Sequence, residues 1–339
     1  MVGARATGLT SLSRALIGGL GGILMLHRVS KSINPAGIND FLCIDPVFLD
    51  RLIDTLKREG FRFVSMDEAV DRIARSHRDE RFLALTLDDG YRDNLTAAAP
   101  IFRAHETPYT IFVTPGFVEG TAHVWWDVLA AVIAKQDRIA FDSPQGRTAI
   151  DCATRRDKHA VYNTLIDYLT NDLVEETQRR FVCDLADAYS VDCVGFTKDA
   201  IMDWEELRSL RDDPLCTIGA HTINHFHLAR LPEHEAMFEM EQSAKVLQIE
   251  LGSRPAFFAY PYGGPNAAGK REVVLARACG FKAAVTTRHG LIRSSHAEHL
   301  HALPRISVNG NYQRAHYVRT LLSGVTVPVS NLGRLTVTI

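Results

Sequence analysis

Asp88 and Asp89 stand side by side before Gly90, at the end of the apolar run 82–87. Successive side chains of a strand point to opposite faces, so a sharp turn at Gly90 is what lets both carboxylates face one cavity. Two carboxylates that close do not behave alike: one can hold a cation and stay ionised, while the other, relieved of repulsion, acts as a base. His221 and His225 follow another strand-like run, at a spacing that brings both rings to one side of a helical turn. Two imidazoles and one carboxylate on a divalent ion leave positions open for water, the arrangement of a hydrolytic metal site. Taken singly, the clusters also read as a solvated Asp-Asp-Gly turn and a pair of capping histidines; their occurrence at the ends of neighbouring strands favours the metal reading.

The elements that must position these residues alternate strand and helix. Residues 22–27 read as a buried strand, and Asp45-Pro46 opens a helix with Phe48, Leu52 and Leu56 as its stripe, ended by Gly60. Residues 61–64 form a strand, and Ser65-Met66-Asp67-Glu68 has capping-box spacing for a helix burying Met66, Val70 and Ile73. Further strands are expected at 82–87, 109–113, 216–220, 256–260, 281–286 and 303–308, with helices ending at Gly252 and Gly280. Between about 117 and 214 the alternation stops and helical patterns take over, with Val161, Leu165 and Tyr168 on one segment and Phe181 and Leu185 on another. Eight strands alternating with helices predict a parallel α/β protein closed into a barrel, carrying a helical insertion. Barrels gather chemistry at the C-terminal strand ends, which here bear His27, Asp88, Asp89, His221 and residues 260–263.

Composition excludes several classes. The chain of 339 residues is 46% hydrophobic and 23% charged, which is neither disordered nor fibrous. With 38 basic against 40 acidic side chains it lacks the cationic footprint of a nucleic-acid binder. The six cysteines include no Cys-x-x-Cys pair and read mostly as buried thiols. Residues 264–270 fit a phosphate-binding loop until Arg271 stands where Ser or Thr should be, and the glycines at 18, 19, 21 and 22 precede their strand, so no nucleotide is expected. No Gly-x-Ser-x-Gly elbow is present. The apolar stretch 15–26 is shorter than the roughly 20 residues a spanning helix needs. It lacks a small-x-small cleavage site, which favours a cytoplasmic protein, with peripheral membrane association or export as alternatives.

Three ordered motifs resemble the polysaccharide deacetylases of the NodB-homology (carbohydrate esterase family 4-like) type: Thr86-Leu87-Asp88-Asp89-Gly90-Tyr91, His221-Thr222-Ile223-Asn224-His225 and Phe258-Ala259-Tyr260-Pro261-Tyr262-Gly263. Leu26-His27-Arg28-Val29, Trp125-Trp126-Asp127 and Leu303-Pro304-Arg305-Ile306 resemble flanking signatures of the bacterial exopolysaccharide and chitooligosaccharide branch. The family fold is a distorted, TIM-like (β/α) barrel of seven or eight strands, so the resemblance implies a barrel over 21–324, an N-terminal extension over 1–20 and a tail over 325–339. It also implies that Asp89, His221 and His225 bind a divalent metal, zinc first, with cobalt, nickel or manganese as alternatives. Asp88 is then the general base, and the reaction is hydrolysis of the N-acetyl group of an N-acetylhexosamine in an oligo- or polysaccharide. The ion would polarise the amide carbonyl, and a backbone N–H near Tyr262 would help to hold the oxyanion.

The chain departs from the family pattern in three places. The Arg of the third motif is replaced within Phe258-Ala259-Tyr260, making Arg305 the candidate that orients Asp88. Asp203-Trp204 precedes the histidine motif and reads as a helix cap with a core Trp, not as the fourth motif. The Leu-x-His element that supplies the general acid is not evident, leaving His27 as first candidate and His289 and His301 behind it. Tyr260, Tyr262 and Trp126 are the candidate substrate-binding aromatics. The alternative function is a glycan-binding barrel without turnover, which would need no base beside its metal.

Overall fold

The computed structural model describes residues 19–76, 80–143 and 146–339. Among these the strands are β1 (Gly21–Leu26), β2 (Arg28–Val29), β3 (Cys43–Ile44), β4 (Arg62–Val64), β5 (Phe82–Leu87), β6 (Tyr109–Val113), β7 (Arg138–Ser143), β8 (Gly146–Asp151), β9 (Cys216–Ala220), β10 (Phe257–Ala259), β11 (Ala283–His289) and β12 (Leu303–Ser307). β1 closes a ring: Leu24 lies opposite Ile306 of β12 on one side and opposite Leu85 of β5 on the other. From β5 the order runs β6, β9, β10, β11 and back to β12, giving a closed barrel of seven parallel strands. β4 stays outside the ring, pairing with the first half of β5 while β6 takes the second half. Of the eight strands expected, seven close the barrel.

Alternation along the strands separates an inner from an outer face. Ile23, Phe82, Ala84, Phe112, Phe257, Ala259, Ala283, Val285 and Leu303 pack together as one buried cluster inside the ring. Met66, Ala69, Val70 and Ile73, the buried face of the helix Met66–Ala74, belong to the same cluster and plug its N-terminal end. Their in-between neighbours Leu24, Leu83, Leu85, Ile111, Val113, Phe258 and Ala284 join the larger core against the surrounding helices. A residue two positions beyond an inward-facing one faces inward as well, one layer closer to the C-terminal mouth. That step leads from Phe82, Ala84 and Thr86 to Asp88, from Gly219 to His221 and from Leu303 to Arg305.

Local signals act where expected. Asp45 caps the helix Pro46–Arg58, accepting from the Val47 N–H, and Ser65 accepts from the Glu68 N–H at the next helix. The buried stripe of the first helix is Leu49, Leu52, Ile53 and Leu56; Phe48 lies at its margin, half-exposed, because the stripe follows the i, i+3, i+4 positions of Leu49. Gly252 and Gly280 take φ of 81° and 82°, the left-handed conformation that ends a helix.

The insertion spans the helices Pro115–Glu119, Trp125–Lys135, Arg155–Asn171, Glu175–Ala188, Cys193–Ala200 and Trp204–Arg211. It is not wholly helical: β7 and β8 form an antiparallel hairpin, Ile139 facing Ile150, where alternating side chains impose a period of two. Asp203 caps the last of these helices through a reciprocal pair with Glu206. The tail beyond 325 packs on the barrel: Val327 and Val337 are buried, and Thr338 O accepts from Arg288. Of the apolar stretch 15–26, residues 15–18 lie outside the described residues, and residues 21–26 are β1. No helix among the described residues is long and apolar enough to cross a membrane.

Candidate active site

Asp88 follows β5 on its inward register, and Asp89 takes φ of 75°, with Gly90 at 79°, so the chain turns and both carboxylates face the barrel mouth. His221 directly follows β9, its backbone N–H on Val113 O and its carbonyl accepting from the Thr114 hydroxyl. The segment 221–225 is not the helical turn that its spacing suggests. Thr222 and His225 are left-handed, φ 59° and 57°, and the Thr222 hydroxyl accepts from the His225 N–H at 2.8 Å, doubling the chain back on itself. Four non-glycine residues of this site, Asp89, Thr222, His225 and Tyr262, have positive φ; such conformations persist where surrounding contacts over-determine them.

Part of that support comes from residues that the motifs do not include. Glu239, buried on the helix Glu233–Leu251, accepts from the Asn224 backbone and side chain at 2.9 and 2.7 Å. Arg179 donates to His225 O at 2.9 Å. Behind the site Asp127, wholly buried, accepts from Asn39, Tyr91 and Arg28, and the Trp126 indole donates to the Tyr91 hydroxyl. The Trp-Trp-Asp sequence marked this network; nothing local marked Glu239 or Arg179.

The Asp89 Oδ1 lies 3.4 Å from the Nε2 of both His221 and His225. Ligands about 2.1 Å from one tetrahedral ion stand about 3.4 Å apart, so the spacing is that of a coordination shell. His221 Nδ1 donates to Ala259 O at 2.7 Å, which fixes the ring with Nε2 facing Asp89. The donor set of one carboxylate and two imidazoles fits zinc or a similar divalent transition ion. Burial works against ionised Asp89, but hydrogen bonds from both histidines outweigh it and hold the carboxyl well below its usual range. Burial pushes His225 down to about 4, toward the neutral form a ligand needs, whereas hydrogen bonding to Asp89 overcomes burial at His221 and raises it.

Arg305 is fully buried inside the barrel above Phe112, and its two terminal nitrogens grip the two Asp88 oxygens at 2.7 Å each. Its Nε donates to Thr286 O and its Nη1 also to the Thr86 hydroxyl, so the fork cannot rotate. Burial would raise Asp88; the charge and hydrogen bonds of Arg305 overcome it and keep the carboxyl below its ordinary value. His27, one inward step beyond Met25, has its Nε2 3.9 Å from Asp88 Oδ2 and a side chain 23% exposed toward the cavity. The other two candidate acids are elsewhere: His289 bonds the Thr326 hydroxyl and His301 the Phe281 carbonyl, and neither lines the cavity.

The cavity over these residues has a volume of about 420 Å³. Trp126, Tyr260 and Tyr262 all line it. The Trp126 ring lies 4.9 Å and the Tyr262 ring 5.2 Å from the His225 ring. Tyr260 offers only its ring, since its hydroxyl is turned away onto His301 O. The outer wall comes from segments without sequence signal: Phe41 and Leu42 on one side, and Tyr162, Asn163 and Ile166 of the insertion helix Arg155–Asn171 on the other.

Solved structures share this architecture. A deacetylase from Streptococcus pyogenes, PplD in complex with acetate, superposes with a TM-score of 0.59 at 18% identity over 89% of this chain and 97% of its own. IcaB from Ammonifex degensii gives 0.56 at 18% identity over 89% and 98%, and the BpsB deacetylase domain from Bordetella bronchiseptica 0.53 at 17% over 86% and 96%. No curated protein matches the chain. The sequence profile of the polysaccharide deacetylases matches residues 75–141 and 158–284, more than half of the chain, and takes in Asp88, Asp89, His221, His225 and the 258–263 motif. The chain therefore belongs to the polysaccharide deacetylase family, hydrolases that act on amide bonds of polysaccharides.

Proposed function

We propose that this protein removes N-acetyl groups from N-acetylhexosamine units of an oligo- or polysaccharide, with a divalent ion held by Asp89, His221 and His225. The observation that carries the reading is the equal 3.4 Å spacing of Asp89 from both imidazoles, beside a second carboxylate locked by Arg305. A divalent ion bound there supplies Lewis-acid polarisation of the amide carbonyl and a more acidic water. Asp88 takes the proton from the attacking water, and Arg305 keeps its carboxylate ionised and aimed. His27, on the other side of Asp88, gives a proton to the departing sugar nitrogen. Water is consumed; acetic acid and the amine form and leave as acetate and ammonium once the acid's proton passes to the amine, and the proton that Asp88 took is returned to His27. A backbone N–H near Tyr262 serves the oxyanion, and the rings of Trp126, Tyr260 and Tyr262 wall the sugar.

The test is acetate release from chito-oligosaccharides by protein loaded in turn with zinc, cobalt, nickel or manganese, with and without chelator. Release that a chelator abolishes and added ion restores is the expected result. Glycan binding by metal-loaded protein with no acetate formed across several N-acetylated glycans overturns it in favour of a binding barrel.

A further inference from the structure

A second cluster of reactive side chains lies away from the barrel mouth, within the insertion. Cys183 of the helix Glu175–Ala188 and Cys193, first residue of the helix Cys193–Ala200, bring their sulfurs to 2.6 Å. His123 joins them, one ligand atom from each of the three residues lying within 4.8 Å of the others. Cys193 is buried and Cys183 is partly exposed, opening on a separate cavity of about 350 Å³. That cavity is lined by His123, Arg179 and Arg180 against the single carboxylate of Glu176. We propose that Cys183 and Cys193 form a reactive dithiol that exchanges with small anionic disulfides, Cys183 attacking first, and closes a 183–193 disulfide.

Three features support the assignment. Hydrogen bonding from Cys193, outweighing burial and joined by His123, pulls the Cys183 thiol below its ordinary value, which favours the thiolate there over Cys193. Cys193 is pushed the other way by the same contact, which fits a resolving thiol that stays protonated until its partner has reacted. Two thiolates about 2.3 Å from one zinc stand about 3.7 Å apart, farther than these sulfurs, so the contact suits a covalent link better than a shared ion. The Arg180 cation at this cavity favours an oxidant that carries carboxylates, Arg179 being paired with Glu175.

The steps balance. The Cys183 thiolate attacks one sulfur of the small disulfide, forming a mixed disulfide and expelling one thiolate. The Cys193 thiol gives its proton to His123 and attacks Cys183 Sγ, expelling the second thiolate, which is then reprotonated. Two protein thiols are oxidised and one small disulfide is reduced to two thiols.

The experiment treats the full chain with glutathione disulfide, alkylates remaining thiols, and maps them by peptide mass spectrometry. A 183–193 cross-link is expected, lighter by two hydrogens and formed at least about tenfold faster than any adduct at Cys216, whose thiol burial pushes up to about 12. Cys193→Ser should retain one glutathione on Cys183, and Cys183→Ser should leave Cys193 unmodified. Alkylation of both cysteines without a cross-link overturns the proposal. So does stoichiometric zinc that Asp89→Ala retains and Cys183→Ser loses, because that result makes the cluster a metal site.

Discussion

The fork of Arg305 and the carboxylate of Asp88 meet at a buried position, so their value lies in being together. Removing the cation alone strands a buried negative charge: Arg305→Ala should cost about 3–5 kcal/mol, read as a lower denaturation midpoint, while the double variant Asp88→Asn/Arg305→Met should recover part of that loss. An additive double variant would show that the two groups do not depend on each other. The two neighbouring carboxylates separate by role. Asp88→Asn should lower turnover about 10²–10⁴-fold with metal content unchanged. Asp89→Ala should lower metal affinity by more than about 100-fold and take activity with it. Loss of metal from the Asp88 variant would reverse the two assignments. The motif residues were legible because each combines a distinctive type with a distinctive neighbour, as in Asp-Asp-Gly or His-Thr-Ile-Asn-His. Glu239 and Arg179 were not, since an acidic or basic residue on an amphipathic helix carries no mark of the loop that it holds.

At the level of elements, inward registers deliver the chemistry. β5 places Thr86 and then Asp88, β9 places Gly219 and then His221, and β12 places Leu303 and then Arg305, so each functional side chain is the next inward step of a packed strand. Gly219 is part of that packing: a Cβ there would lie 2.4 Å from the Phe112 ring, the ring on which Arg305 rests. Gly219→Ala should destabilise the fold by about 1–3 kcal/mol, measured by thermal unfolding. A variant with unchanged stability would mean that Phe112 has room to move. The strand runs and cap signals were readable because they are local. The hairpin β7–β8 escaped because its alternation is short and lies among helical segments, and the 221–225 turn escaped because its left-handed residues are not glycines.

Taken as a whole, the molecule joins a barrel that supplies the reacting groups to an insertion that supplies part of the cavity wall. The proposed ligands to one ion come from the ends of β5 and β9 and from the loop after β9, so metal binding there should couple to global stability. Zinc at a concentration about 100-fold above its Kd should stabilise the wild-type protein by about 2.7 kcal/mol, seen as a rise in Tm that chelator reverses. Asp89→Ala should show no such rise; an equal rise in that variant would place the ion elsewhere.

By itself, the sequence determined the chain order of the barrel strands, several helix caps, and Asp88, Asp89, His221 and His225 as the candidates for the site. These follow from hydrophobic period, turn chemistry and adjacent residue types, which act over a few positions. Tertiary structure decided which distant residues meet: β1 against β5 to close the ring, Arg305 against Asp88 across 217 positions, His27 beside them, and Cys183 against Cys193 within the insertion. Such meetings depend on how strands of fixed twist and register close on one another, a condition met by the whole chain and written in no single segment of it.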